Sequence, residues 1–251
     1  MVLTEKQRER YARQLCMPEI GPAGQEKLLS SKVLVIGAGG LGSPAALYLA
    51  AAGVGTIGLA DSDVVDLSNL QRQILHSTEK LGMKKVDSGA ERLEGLNPDV
   101  HVIPYPIDVT EKNIDELLAD YDFVLECTDN FETKYLINDA CVRANKPFCH
   151  GAVLGFLGEI MTVVPGRGPC YRCAFRNAPE AEDASDDKIA GVIGAVPGVI
   201  GSLQALEAIK YLTGVGELLV GRFLSFDGRT MDFETVELSR DPDCPACGER
   251  G

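Results

Sequence analysis

The 251-residue chain has no tryptophan, three histidines and only 6% aromatic residues. Few large rings are available to fill an interior. With 45% hydrophobic residues there is still enough for one large domain, built from Val, Ile, Leu and Ala with 27 glycines, a mixture common in α/β proteins. Positive charge is short as well: 24 Lys and Arg stand against 37 Asp and Glu, a net charge of −13. A field of that sign repels phosphate backbones and anionic lipid, so no nucleic acid and no membrane is expected among the partners. The N-terminus, MVLTEKQRERYARQL, lacks the apolar core of a signal peptide, which points to a cytoplasmic protein. Uninterrupted apolar runs are also missing. Residues 189–206 carry no charge, but Gly191, Gly194, Pro197, Gly198 and Gly201 break the stretch, and it runs into Glu207 and Lys210. It reads as a buried helix with a glycine-rich approach rather than a membrane span. Eight cysteines in such a chain indicate thiols or metal, not a disulfide scaffold.

Thr4 followed by Gln7 forms a capping-box pattern that opens a charged N-terminal helix, with Tyr11 and Leu15 as its apolar anchors. The run KVLVI (32–36) ends in GAGGLG (37–42). A helix over 43–52 and a strand over 56–60 follow, closing on Asp61. This is a βαβ unit with its switch point at the glycines. Helices are predicted over 79–96, 110–119 and 131–145, and strands over 100–105, 123–127 and 147–151. Beyond Gly151, GEIMTVVPG and RFLSFDGRTMDFETVEL read as antiparallel strands, the second with a hairpin turn at Asp227-Gly228. The predicted class is α/β: a Rossmann-like, doubly wound, mainly parallel sheet extended by antiparallel strands. Within a single domain (1–251), 1–30 form a helical arm, 31–150 a nucleotide-binding half and 151–251 the extension. The acidic run 180–187 reads as a solvated loop.

Four constellations carry chemistry. Glycines at 37, 39 and 40 let backbone amides approach a phosphate at a helix N-terminus, and Asp61 stands where a ribose acceptor belongs. This indicates a nucleotide and leaves NAD or ATP open. Ser68, Asn69, Leu70, Gln71 and Arg72, followed by Lys85, place two cations near that turn. A triphosphate needs them, whereas either alone is equally a surface charge. Asp129 follows an apolar strand, where it either holds Mg²⁺ against phosphates or caps the helix beginning at Phe131. Cys170-x2-Cys173 and Cys244-x2-Cys247 make a four-thiolate structural zinc site that pins the C-terminal tail, the alternative being two redox pairs. Neither pair reads as the strand-to-helix start that lowers a thiol pKa. Cys16, Cys127, Cys141 and Cys149 read as buried apolar thiols, and His76, His101 and His150 as isolated side chains without a role.

Together with RYARQ (10–14), LADSD (59–63), SNLQRQ (68–73), KKVDS (84–88), ECTDN (126–130), AGVIG (190–194) and GSLQALEAIKYLTG (201–214), these elements make the chain resemble the MoeB/ThiF family over essentially its whole length. These are bacterial relatives of ubiquitin-activating enzymes. The resemblance implies an adenylyltransferase that activates the C-terminal glycine of a small ubiquitin-like sulfur carrier ending in Gly-Gly (MoaD- or ThiS-like). ATP would lie on Gly37, Gly39, Gly40, Asp61, Ser68 to Arg72 and Lys85, and Mg²⁺ on Asp129 with Asn130 beside it. It further implies a homodimer in which Arg13 reaches the partner's site.

One departure stands out. Family members often carry a cysteine three residues before the AGV stretch, and here the position is Asp187. The expected reaction therefore stops at the adenylate, and sulfur comes from a separate donor of cysteine-desulfurase or rhodanese type. The competing readings are a relative that adenylates a small-molecule or tRNA-linked carboxylate, a non-catalytic docking homologue, and a dehydrogenase.

Overall fold

A computed structural model describes residues 3–176 and 191–248. Eight strands form one sheet in the order β3-β2-β1-β4-β5-β6-β7-β8. β1 (Lys32–Ile36), β2 (Thr56–Ala60), β3 (His101–Tyr105), β4 (Phe123–Glu126) and β5 (Phe148–Leu154) are parallel. β6 (Leu157–Val163), β7 (Arg222–Asp227) and β8 (Asp232–Glu237) continue the sheet antiparallel from β5. Val33 to Ile36 and all of β4 are buried on both faces, so these strands read as continuous apolar runs rather than alternations.

One face is covered by α3 (Gly21–Ser30), α4 (Gly42–Ala52), α5 (Lys85–Leu96) and α9 (Ala195–Thr213), which bury Leu28, Leu49, Leu93 and Ile200. The other carries α6 (Ile114–Ala119), α7 (Phe131–Arg143) and α8 (Tyr171–Ala174), with Leu118, Tyr135 and Tyr171 in their core. The scarcity of large rings fits α4, whose sequence GSPAALYLAAA is small and apolar almost all round and is buried along most of its length. From Ala195 the charge-free stretch continues as α9, which also packs on the sheet. No described helix is long and apolar enough to cross a membrane.

Several boundaries differ from the sequence expectation. The capping box is present, with Gln7 N–H donating to Thr4 Oγ1 at 3.2 Å and Thr4 N–H to Gln7 Oε1 at 3.0 Å. The arm then breaks at Tyr11 into α1 (Glu5–Arg10) and α2 (Ala12–Leu15), because Tyr11 turns inward and its hydroxyl receives a hydrogen bond from Asn97 at 2.8 Å. The helix expected over 79–96 starts only at Lys85: Gly82 adopts φ 80° and Lys84 bridges to Val64. The helix expected from residue 110 starts at Ile114, after Asn113 accepts the Thr110 N–H. The hairpin after β7 is a four-residue loop, and its positive φ falls on Met231 rather than Gly228. Cys16, expected to be buried, is exposed.

Candidate functional site

β1 and β4 are neighbours whose connections leave in opposite directions, so a crevice opens at their carboxyl ends. Gly37 follows β1 with φ 100°, and a Cβ there would lie 2.6 Å from Cys127 O, just after β4. A Cβ on Gly42 would lie 1.9 Å from Gly37 O. Only glycine permits this turn, which leads into the N-terminus of α4. The turn is anchored from β2: Asp61 Oδ2 accepts the Ala38 N–H at 2.8 Å. Gly39 and Gly40 face the opposite wall of the crevice, where Gln73 Nε2 is 3.6 Å from a Cβ built on Gly39, and Arg72 Cγ and Pro197 line Gly40.

Two buried oxygens beside the turn, Ser43 Oγ and Gln73 Oε1, have no hydrogen-bond partner, the only such side-chain atoms among the described residues. Buried polar atoms are nearly always satisfied, so unpaired ones around a glycine cradle fit a ligand that completes them.

The cations arrive from the following segments. Asp66 caps the 3₁₀ turn Leu67–Asn69 through Ser68 N–H at 2.8 Å, and the chain then runs through Leu70 and Gln71 to Arg72, whose Cγ lines Gly40. The Arg72 guanidinium is oriented by Asn69 Oδ1 at 3.1 Å and Ser68 O at 3.3 Å. Gln71 Nε2 reaches Val192 O at 3.5 Å, at the approach to α9. Lys85, the first residue of α5, is buried, with its ammonium 2.8 Å from Asp63 and 3.9 Å from Asp61.

Asp129 follows β4 and is exposed. The cap of α7 is Asn130, whose Oδ1 accepts the Thr133 N–H at 2.9 Å. The alternative capping role of Asp129 is thereby excluded, and its carboxylate has no partner among the described residues. An exposed carboxylate at this edge suits a hard cation shared with phosphate.

Arg13 is not part of this crevice. Its helix lies at the far ends of α4 and α5, where Gln14 bonds Ala52 O and Arg10 bonds Leu96 O. The eleven residues of α4 separate that pole from the glycine turn by roughly 16 Å.

The four knuckle cysteines converge. Their sulfurs all lie within 4.8 Å of one another, with Cys170–Cys244 at 3.6 Å, Cys173–Cys247 at 3.4 Å and Cys170–Cys173 at 4.0 Å. A tetrahedral Zn²⁺ with Zn–S bonds of about 2.3 Å requires sulfur separations of roughly 3.8 Å, so the cluster fits the ion. The closest sulfurs belong to different pairs, which argues against two independent redox dithiols. Cys170 does stand at the start of a short helix, contrary to expectation, yet burial pushes its thiol up, and that of Cys173 to about 11. Such thiols become good ligands once a cation offsets their charge.

Two histidines have partners that sequence reasoning missed. His76 bridges Ala38 O (2.9 Å) and Ser88 Oγ (3.1 Å), bracing the glycine turn against α5, and burial holds its pKa below the ordinary value. His150 Nδ1 lies 2.6 Å from Glu126. The acidic residue inside the apolar strand FVLEC was the available signal, since a buried carboxylate demands partners. Asp187 and the acidic run lie outside the described residues.

With this geometry in view, the comparisons with known proteins are direct. The ThiF family profile matches residues 11–246. The SAMP-activating enzyme E1 of Haloferax volcanii is 49% identical over 249 residues, covering 99% of this chain and 92% of that protein. The sulfur carrier protein adenylyltransferase of Thermus thermophilus is 43% identical over 251 residues, covering 98% and 93%. The adenylyltransferase and sulfurtransferase MOCS3 of Bos taurus is 47% identical over 249 residues, but the chain spans only 55% of its length. Among solved structures, E. coli MccB with AMPCPP and MccA aligns at a TM-score of 0.85 and 25% identity, over 98% of this chain and 75% of that one. A profile match along nearly the whole chain, with relatives almost half identical over most of their own length, makes the chain a member of the ThiF family.

Proposed function

We propose that the chain is an ATP-dependent adenylyltransferase that activates the C-terminal glycine of a small ubiquitin-like sulfur carrier. One observation carries the reading: a glycine cradle with unpaired buried oxygens, two cations and a free carboxylate meet where β1 and β4 diverge. The names of the relatives supply the substrate class. In this reading residues 1–251 act as one ThiF-type unit in the cytoplasm, as a homodimer. Arg13, remote from its own crevice, would serve the partner's.

The triphosphate lies with its phosphates on the Gly37–Gly40 turn and its ribose hydroxyls toward Asp61. Mg²⁺ held by Asp129 would offset phosphate charge and help polarise the α-phosphate. Arg72 and Lys85 neutralise the charge that builds as the carrier carboxylate attacks the α-phosphorus and pyrophosphate leaves. A triphosphate competes with Asp63 for the Lys85 ammonium. No protein nucleophile takes part, so the chain contributes positioning and charge. The test is exchange of labelled pyrophosphate into ATP. It is expected with a β-grasp carrier ending in Gly-Gly and absent with a carrier lacking the final glycine. Exchange driven by a small-molecule or tRNA-linked carboxylate instead would select the alternative relative, and preferential NAD(H) binding a dehydrogenase.

Arg72→Ala is expected to lower kcat for exchange roughly a hundredfold through lost charge stabilisation. Among the described residues its guanidinium bonds only its own 3₁₀ turn, so the melting temperature should hardly move. A change in thermal stability without a change in turnover would make Arg72 structural.

The carrier is expected to form an adenylate but no covalent adduct with the enzyme. Burial pushes the thiols of Cys127, Cys141 and Cys149 far above the ordinary range, and four others form the zinc cluster. Cys16 is exposed but sits on the arm, at the pole away from the crevice. Sulfur then comes from a separate donor of cysteine-desulfurase or rhodanese type. Intact-mass analysis after incubation with carrier, ATP and Mg²⁺ is the check. A reductant-sensitive adduct that vanishes in Cys16→Ser or Cys127→Ser would overturn this expectation.

A further inference from the structure

Beneath the turn that carries Asp129 lies a buried ionic cluster that plays no direct part in adenylation. Glu126 ends β4, Lys134 lies in the first turns of α7 and His150 is on β5, and all three are buried. Lys134 Nζ is 3.0 and 3.2 Å from the two Glu126 carboxylate oxygens, 2.8 Å from Thr128 O and 3.1 Å from Gly151 O. Glu126 Oε1 accepts both the Thr128 N–H at 2.7 Å and the Thr128 Oγ1–H at 2.5 Å. Glu126 Oε2 meets His150 Nδ1, and the His150 ring packs 4.6 Å from that of Tyr171, next to the zinc-cluster residue Cys170.

A buried ion pair is an inefficient source of stability, because desolvating two charges cancels much of their attraction and an apolar pair often does as well. What this pair provides is geometry. All three polar atoms of Thr128, its N–H, carbonyl and hydroxyl, are held by Glu126 or Lys134. Asn130, on the other side of Asp129, is fixed by capping α7. Asp129 is therefore clamped through both neighbours while its own carboxylate stays free. Burial would raise the Glu126 pKa, but the Lys134 ammonium and the His150 hydrogen bond outweigh it and keep the carboxylate ionised.

We propose that Lys134 and Glu126 are positioning residues for adenylation: as a buried pair they fix Thr128 so that the Asp129 carboxylate is held ready for the metal–triphosphate. This rests on the nucleotide-site reading above. It differs from a plain staple between α7, β4 and β5 in what it predicts for Asp129.

The test uses the whole 251-residue chain, loaded with zinc, and two perturbations. Lys134→Met removes the ammonium and keeps the stem. Thr128→Val leaves the ion pair intact and removes one bond of the clamp, and Thr128→Ser restores it. The first readout needs no ligand: amide hydrogen exchange across 127–131 should accelerate in Lys134→Met and Thr128→Val and return to wild type in Thr128→Ser. The second is the Mg²⁺ dependence of pyrophosphate exchange. Half-saturating Mg²⁺ should rise roughly tenfold to a hundredfold, the usual effect of removing a group that orients a metal ligand, while kcat at saturating Mg²⁺ stays within a few-fold. If Lys134→Met does not fold, the Thr128 pair decides. Lower melting temperatures with unchanged hydrogen exchange and unchanged Mg²⁺ dependence would reduce the cluster to a staple and overturn the proposal. An inactive Asp129→Asn beside an unaltered Thr128→Val overturns the positioning role alone. A fully active Asp129→Asn overturns the nucleotide-site reading and this proposal with it.

Discussion

Replacing Cys244 by serine is expected to release the bound zinc, lower the melting temperature by roughly 10 °C or more, and expose the tail from Arg240 onward to protease. Structural zinc contributes folding free energy directly, because the site does not exist in the unfolded chain and binding is coupled to folding. At about 2–4 °C per kcal/mol for a chain of this size, a loss of several kcal/mol gives a shift of that order. Among the described residues the tail has few other polar anchors: Arg176 pairs with Asp241 and donates to Asp243 O at the surface, and Asp241 N–H meets Cys173 Sγ at 3.4 Å. Cys244 itself is buried in the second core, so its loss also opens that face of the sheet.

Nucleotide binding should survive in part. The cradle, Arg72 and Lys85 are built from β1, β2, α4 and α5, whereas the cysteine cluster packs on the opposite face of the sheet, with α7 and α8. Metal analysis of protein purified without chelator is expected to find about one zinc ion per chain, the number a single four-thiolate cluster holds. Protein without zinc, or a Cys244→Ser variant with wild-type melting and an intact tail, would defeat the assignment.

The parallel βαβ half of the fold was legible because two local signals coincide there. An apolar strand ending in glycines has few readings, and Asp61 lies at the distance a βαβ unit sets. The four cysteines were legible because C-x2-C pairs are a local pattern whose partner can be sought along the chain. What stayed hidden depends on contacts between distant residues. Glu126 announces itself as a carboxylate in an apolar strand, but Lys134 and His150 lie eight and 24 residues away, and no periodicity links them. His76 falls between motifs, and only folding brings it under Ala38. The break of the arm at Tyr11 has the same origin, since Asn97 lies 86 residues away. Helix starts were misplaced where turn geometry overrode propensity, as at Gly82 before α5. Asp129 was ambiguous in the sequence because Asp and Asn both cap helices well, and here the two are adjacent. The structure separates their roles by giving the Thr133 N–H to Asn130.

That separation leaves the Asp129 carboxylate free for a metal, and its loss is expected to have the largest effect on catalysis. Asp129→Asn is nearly isosteric, and Asp129 is exposed, caps no helix and pairs with no cation among the described residues. Its melting temperature should stay within about 2 °C of wild type, as for an ordinary surface substitution. An amide, however, is a neutral and weaker ligand for a hard divalent cation, and the triphosphate loses the anchor that fixes its metal. Charge stabilisation of this kind is worth several kcal/mol, so carrier-dependent pyrophosphate exchange should fall roughly a hundredfold or more, at about 1.4 kcal/mol per decade. Thr128 is still clamped by Glu126 and Lys134 in this variant, so hydrogen exchange across the turn should remain that of wild type. The defect would then be one of charge rather than order. Raising Mg²⁺ should recover little, because the missing charge belongs to the protein and not to the solvent. Exchange within a few-fold of wild type at saturating ATP and Mg²⁺ would remove Asp129 from the metal site and leave the crevice without its proposed anchor.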